Sequence, residues 1–391
     1  MTRRRVQLIE RSAREIRLPR EDVDFLLSHA RNLLEVTPTF RRGFYRVVPR
    51  AFVGWFDSPT LRFTIRPKVP WPTLRMLLGL SYEADPGELN SHLESGLLNV
   101  LARELTDRLR EVVRLGLIAG YREQDTSAAY LRGKLRASAQ VRDAATRAFP
   151  DRFHITDSIL DLDTPWNRIP RAIATDLIDN PDLPDSTRTE LRDAIQPFDG
   201  VPLSPPTDAD FVHSETDSRV AHYRPLLALC RWLHDGFAVA RLSGSGEGAF
   251  LIDLSRMFER YLTDELRSAF SGQPGWSVES HPQFAIGPVV LQPDIAIQKH
   301  TKTRAVLDAK WKVPGPTPDA ADLHQIIAYA AVSGTHDVGL VYPGRRFARR
   351  IFPVPGTPIR VSLFRVQVVG LAKECTSSIF RFSRVLRCRK S

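Results

Sequence analysis

The alternation of apolar and polar positions is sharpest from Ala305 to Lys312. An extended strand there sets Val306, Asp308, Lys310 and Lys312 on one face and Leu307, Ala309 and Trp311 on the other. A second period-two region runs from Phe40 to Lys68, where Leu61, Phe63 and Ile65 alternate with Arg62, Thr64 and Arg66. It predicts an antiparallel sheet with one basic face, made of Arg41, Arg42, Arg46, Arg50, Arg62, Arg66 and Lys68. Such a face fits a nucleic acid, an acidic partner or plain solvent. Helical spacing predicts helices over Arg20–Leu34, Trp71–Leu80, Leu89–Leu117, Arg171–Ile178, Tyr223–Leu242 and Asp253–Phe270. Pro165 and Pro170 are expected as boundaries, and a short strand is expected at Val6–Ile9.

The chemistry concentrates between residues 291 and 329. Asp308 and Lys310 point the same way, roughly 6 to 7 Å apart at the backbone. The polar break Gln298 to Thr303 between two apolar runs reads as a hairpin loop, so Asp294 lies across from Asp308. Two carboxylates that close repel unless a cation sits between them, and hard oxygen ligands suit Mg²⁺ or Mn²⁺. Lys310 is then placed to hold a phosphoryl oxygen or orient a water. The same pattern also fits a solvated hairpin whose charges face water. Asp319 opens a helical run with Asp322 as its capping partner, and Gly334 follows the end. Gln325 and Tyr329 are spaced i, i+4 on that helix and share a face. Pro293-Asp294 with Asp308-Ala309-Lys310 and the Gln-x-x-x-Tyr helix resembles the PD-(D/E)xK nuclease motif.

Composition widens this picture only a little. The chain has 391 residues and a formal net charge of +10, enough length for two or three cores and a bias toward an anionic partner. Lysine is scarce beside arginine, which makes Lys310 and Lys312 next to Asp308 less casual. Cys230, Cys375 and Cys388 show no metal-ligand spacing and no even disulfide framework. With no apolar run of about 18 residues and no signal-peptide pattern behind Met-Thr-Arg-Arg-Arg, a cytoplasmic protein off the membrane is expected. Gly244-Ser-Gly-Glu-Gly248 lacks the Lys-Ser/Thr of a phosphate loop, so this chain is expected to bind no nucleotide and any nucleotide-driven step belongs to another protein.

A wider set of segments resembles the McrC family, the nuclease subunits of modified-cytosine restriction systems. They are Phe52-Val-Gly-Trp-Phe56 with Leu61-Arg-Phe-Thr-Ile-Arg-Pro-Lys68, Gly116-Leu117 and Tyr121 with Leu131-Arg-Gly-Lys134, Asp163-Thr-Pro-Trp-Asn-Arg168, His222-Tyr-Arg-Pro-Leu-Leu227, Met257-Phe-Glu259, the nuclease stretch, and Gly339-Leu-Val-Tyr-Pro343. The resemblance implies Mg²⁺-dependent (or Mn²⁺-dependent) cleavage of double-stranded DNA carrying modified cytosine. It implies a separate McrB-like AAA+ GTPase that the N-terminal half stimulates. It also adds Glu259, at the edge of the apolar stripe of the helix Asp253–Phe270, to Asp294 and Asp308 as a third metal-side carboxylate; Lys310 and Gln325 complete the expected catalytic set.

The fold expected is an α/β PD-(D/E)xK nuclease domain, a mixed sheet flanked by helices, preceded by an α+β N-terminal domain. The segments expected are 1–155, engaging the partner, 156–245, a helical connector with a Pro-rich linker at 195–218, and 246–391, the nuclease. Two other readings stay open at this point: a self-sufficient PD-(D/E)xK nuclease, and a non-catalytic adaptor that activates a partner NTPase.

Overall fold

The computed structural model describes residues 3–68, 77, 96–143, 151–216, 218–242, 249–315 and 317–387. The chain divides into two compact units, Met1–Ser91 with Asp235–Ser391, and His92–His234. This grouping cuts the chain at different places from the three consecutive segments read from the sequence. The helix expected over Trp71–Leu80 lies, apart from Leu77, outside the described residues, as do the glycine cluster at 244–248 and Cys388.

The first unit opens with β1 (Arg4–Ile9), β2 (Arg14–Arg17), α1 (Arg20–His29), β3 (Leu34–Pro38), β4 (Phe44–Pro49), β5 (Phe52–Asp57) and β6 (Leu61–Arg66). Helix α1 stops five residues short of its expected end, because Leu34 begins a strand that pairs with β4. The single sheet expected over 40–68 is instead split between two. β4 sits between β2 and β3, whereas β5 and β6 join β1, which runs parallel to β6. Pro49 explains the break: it has no N–H for a further rung, and Arg50 turns its own N–H to Leu33 O at 2.8 Å. The basic face is divided with it. Arg41, Arg42, Arg46 and Arg50 are exposed, while Arg62 is half-buried against Asp57.

The second unit holds α2 (Gly96–Leu115), β7 (Gly120–Ala128), β8 (Lys134–Leu135), α3 (Ala137–Arg142), β9 (Phe153–Asp161), α4 (Pro165–Ile178), α5 (Asp185–Ile195) and α6 (Asp208–Thr216). Leu98, Leu101, Leu105, Leu109 and Val112 form the buried stripe of α2. Two expectations fail here. Helix α4 starts at Pro165, six residues before the expected Arg171, and so carries Pro170 inside it instead of beginning after it. The span 195–218 is not a plain linker, because Thr207 and Asp210 cap each other's N–H groups at the start of α6, whose Phe211 is buried. At the end of this unit α7 (Arg224–Leu242) begins, with Tyr223 O–H donating to Asn167 Oδ1 at 2.8 Å.

The chain then returns to the first unit. β10 (Phe250–Asp253) pairs with β5, completing the order β1-β6-β5-β10. Gly54 makes this possible. Its φ is +128°, and a Cβ there would lie 2.0 Å from Phe250 O. Asp253 caps α8 (Leu254–Phe270), accepting from Ser255 N at 2.8 Å, and α8 buries Leu254, Met257, Phe258, Tyr261, Leu262 and Leu266. There follow β11 (Trp276–Ser280), β12 (Phe284–Ile286), β13 (Val289–Leu291), β14 (Ile295–Lys299), β15 (Lys302–Ala309), α9 (Ala320–Ser333), β16 (Asp337–Gly344), β17 (Ala348–Pro353), β18 (Arg360–Gln367) and α10 (Ala372–Arg387).

Six of these strands form one mixed sheet, ordered β11-β14-β15-β16-β18-β17. β15, β16 and β18 are parallel neighbours, and the outer pairs are antiparallel. Between β15 and β16 the chain crosses over through α9, whose Ile326, Tyr329 and Ala330 pack on Val306, Val338 and Leu340. The C-terminal half is therefore mixed α/β. Cys230 and Cys375 are buried free thiols.

Candidate metal centre

The candidate centre is built where β14 and β15 reach the end of the sheet. Their antiparallel register pairs Ile295 with Leu307, and one step further sets Asp294 opposite Asp308. Asp294 Oδ2 accepts the N–H of Ala309 at 2.7 Å, which ties the two ends together. Asp308 is 2% exposed. Its Oδ2 lies 2.6 Å from Lys310 Nζ, yet it accepts no aligned hydrogen bond among the described residues. Lys310 directly follows β15, with its backbone N–H bonded to Val341 O at 2.8 Å, and its Nζ donates to Gln325 Oε1 at 2.9 Å.

Helix α9 supplies the other side. Asp319 caps it by accepting from Ala321 N at 2.9 Å, and Gly334 ends it at φ +66°. The i, i+4 pair is in contact: Gln325 Nε2 donates to Tyr329 O–H at 2.8 Å, and Tyr329 in turn donates to Gln292 O at 3.3 Å. Tyr329 thus packs in the core with its ring and joins the polar network with its tip. Asp322 differs from expectation. Its carboxylate does not turn back to cap the helix but takes Lys312 Nζ at 2.6 Å and the Tyr342 hydroxyl at 3.1 Å, because burial leaves it needing a counter-charge.

Glu259 comes from α8, at the edge of that helix's buried stripe. Burial drives its carboxyl up to about 7, with the charges of Asp308 and Asp253 adding to the shift and Arg256 opposing it. Asp294 is likewise pushed up to about 7, by burial and then by Asp308 and Glu259. Asp308 is raised by burial, against the pull of Lys310. For Lys310, burial acts downward, but Asp308, Asp322 and Asp294 outweigh it and hold the ammonium above its ordinary value. The structure therefore brings Glu259, Asp294, Asp308, Lys310 and Gln325 into one place, where carboxylates outnumber the ammonium that pairs with them.

One member is missing from the sequence reading. His281 Nε2 stands 2.9 Å from Glu259 Oε1, and the ligand atoms of Glu259, His281 and Asp294 all lie within 4.8 Å of one another. Nothing periodic marks His281, which sits in a turn before Pro282. These donors fit a divalent cation: buried carboxylate oxygens with spare lone pairs, mutual repulsion that an added positive charge would relieve, and an imidazole nitrogen 2.9 Å from one of the carboxylates.

Fold and site together define a mixed α/β protein with a carboxylate-rich centre at one end of its sheet. The model of the family described as "McrBC 5-methylcytosine restriction system component" matches residues 49–343, and the chain belongs to that family. Among solved structures, a refined half-complex from a tetradecameric assembly of Thermococcus gammatolerans McrB AAA+ hexamers with bound McrC contains a chain of like fold. It matches with TM-score 0.53 and 16% identity, over 97% of this chain and 100% of that one. The cryo-EM structure of the Thermococcus gammatolerans McrBC complex also matches, with TM-score 0.43 and 19% identity, over 66% of this chain and 85% of that one. No curated protein matches. Among the described residues no helix is long and apolar enough to cross a membrane.

Proposed function

We propose that this chain is the McrC-like endonuclease subunit of a modification-dependent restriction system, a cytoplasmic PD-(D/E)xK enzyme that hydrolyses DNA phosphodiesters with Mg²⁺ or Mn²⁺. The observation that carries this reading is the convergence of Glu259, Asp294 and Asp308 with Lys310 at one sheet end. Family membership supports double-stranded DNA with modified cytosine as substrate. The fold shared with a chain of the McrB–McrC assembly supports a McrB-like AAA+ partner; the resemblance of the N-terminal segments adds that this partner is a GTPase stimulated through the N-terminal half.

Glu259, Asp294 and Asp308 would hold the ion, which when bound supplies Lewis acidity and neutralises charge at the phosphodiester. The protein's own residues do the rest. The Ala309 N–H fixes the Asp294 carboxylate from behind, so its other oxygen is free to face the centre. Lys310 is held by its ion pair with Asp308 and its hydrogen bond to Gln325, and has an N–H to spare for a phosphoryl oxygen or a water. Its raised pKa makes it a fixed cation near neutral pH, a donor and not a base. The Gln325–Tyr329–Gln292 chain of hydrogen bonds holds that clamp to the loop before Asp294.

The test uses the full chain with its cognate GTPase on DNA containing modified cytosine. Asp308→Ala should abolish Mg²⁺-dependent cleavage and leave GTPase stimulation intact. Cleavage at the parental rate would remove the assignment.

A further inference from the structure

We propose that His281 is a nitrogen ligand of the same centre, so that the cation is held by a mixed set of one imidazole and carboxylates. This rests on the reading of the centre as a cation site and extends it to a residue and a metal preference.

The first support is backbone placement. His281 follows β11 with φ +50°, a left-handed conformation that non-glycine residues adopt at a cost and that histidine tolerates better than most. It is pinned there from both sides. Its N–H donates to Asp294 O at 2.9 Å, and its carbonyl accepts from Gln292 Nε2 at 3.1 Å. The turn is thus stitched to the very segment that carries Asp294.

Side-chain placement follows from that stitching. The ring is turned onto α8, with Nε2 at 2.9 Å from Glu259 Oε1. Three separate parts of the chain, α8, the turn after β11 and the segment before β14, converge their ligand atoms within 4.8 Å. Two neighbouring ligands of one octahedral ion stand about 3 Å apart when each is about 2.1 Å from it, so the Glu259–His281 spacing already suits a shared cation. The His281 side chain is 54% exposed, which leaves this flank of the centre open to solvent and to a substrate.

The chemical consequence is selectivity. Carboxylates and water suit Mg²⁺ and Ca²⁺, whereas an imidazole strengthens binding of transition-metal ions by more. His281 should therefore add affinity for Mn²⁺ and add little for Mg²⁺.

Mn²⁺ is the probe, bound to the full-length chain and observed by pulsed electron paramagnetic resonance and by titration calorimetry. The parent should show nitrogen modulation from a coordinated imidazole. His281→Asn, which tolerates the same backbone conformation but falls short of the ion, should lose that modulation and bind Mn²⁺ about tenfold more weakly. Its Mg²⁺ affinity should change by less than about threefold. His281→Gly, which relieves the turn altogether, should behave the same way and so separates ligand loss from misfolding. Absence of nitrogen modulation in the parent, or its persistence in both variants, overturns the assignment. Asp294→Asn distinguishes the two levels. If it abolishes Mn²⁺ binding while the parent shows no nitrogen signal, only His281 is wrongly placed; if it leaves Mn²⁺ binding unchanged, the cation centre itself falls and this proposal with it.

Discussion

Two buried carboxylates in the same unit, Asp57 near the end of β5 and Asp308 near the end of β15, sit in two different sheets and meet opposite fates. Asp57, 5% exposed, receives Arg62 through Nε at 2.7 Å and Nη2 at 2.9 Å, and Arg3 at 2.9 Å. Two guanidiniums serve one carboxylate. Asp308 has Lys310 at 2.6 Å, but it shares its surroundings with Asp294 and Glu259, both pushed up to about 7. Both carboxylates are buried near a strand end, and the difference that matters is the balance of charge. A compensated buried pair holds strands together, while an under-compensated cluster is a place that favours an added cation.

Mutation can break either side of that comparison, and the under-compensated side should show the largest effect. Asp308→Ala should lower partner-dependent cleavage on the order of a thousandfold or more, read as initial rates in Mg²⁺. On the compensated side, Asp57→Ala leaves Arg62 half-buried without its carboxylate and should cost about 2–3 kcal/mol in urea unfolding, with cleavage by the folded protein unchanged. A cost below about 0.5 kcal/mol would mean that solvent, not Asp57, compensates these arginines. A smaller effect is expected at the clamp. Gln325→Ala removes a hydrogen-bond partner of Lys310 and should slow cleavage about tenfold without altering affinity for Mn²⁺; a rate loss matching Asp308→Ala would make Gln325 more than a positioning residue.

The smallest effect sharpens the comparison through pH. Glu259 and Asp294 rise from 4.5 and 3.8 to about 7 on folding, so the folded chain holds these protons longer than the unfolded one. Their contribution to stability is complete below about pH 4 and is lost as pH rises to about 7. In EDTA the melting temperature should therefore be higher at pH 5 than at pH 8. Asp294→Asn should narrow the gap, and Mg²⁺ should restore stability at pH 8. An Asp294→Asn variant with the full parental pH dependence would show that this carboxyl is not the strained one.

Much of the centre was legible in the chain because its geometry is local. The pleat fixes that Asp308 and Lys310 share a face, and a short hairpin fixes the register that carries Asp294 across to Asp308. Helical spacing likewise put Gln325 over Tyr329. Glu259 needed a family resemblance, since an acid at the edge of an amphipathic stripe is ordinarily a solvated head on a packed stem. His281 escaped because no period places a turn residue against a helix.

The sequence by itself determined the alternating strand, the capped helix behind it, the acid–lysine face between them, and membership of a family whose segments run in order along the chain. Tertiary structure alone decided that β1 runs parallel to β6, that β10 returns to β5 beside Gly54, and that Trp311 Nε1 finds Glu10, 301 residues away, at 3.1 Å. It also decided which charges are neutralised. Periodicity constrains neighbours a few residues apart, whereas the field at a buried carboxylate is the sum over every segment that packs against it, wherever that segment lies in the chain.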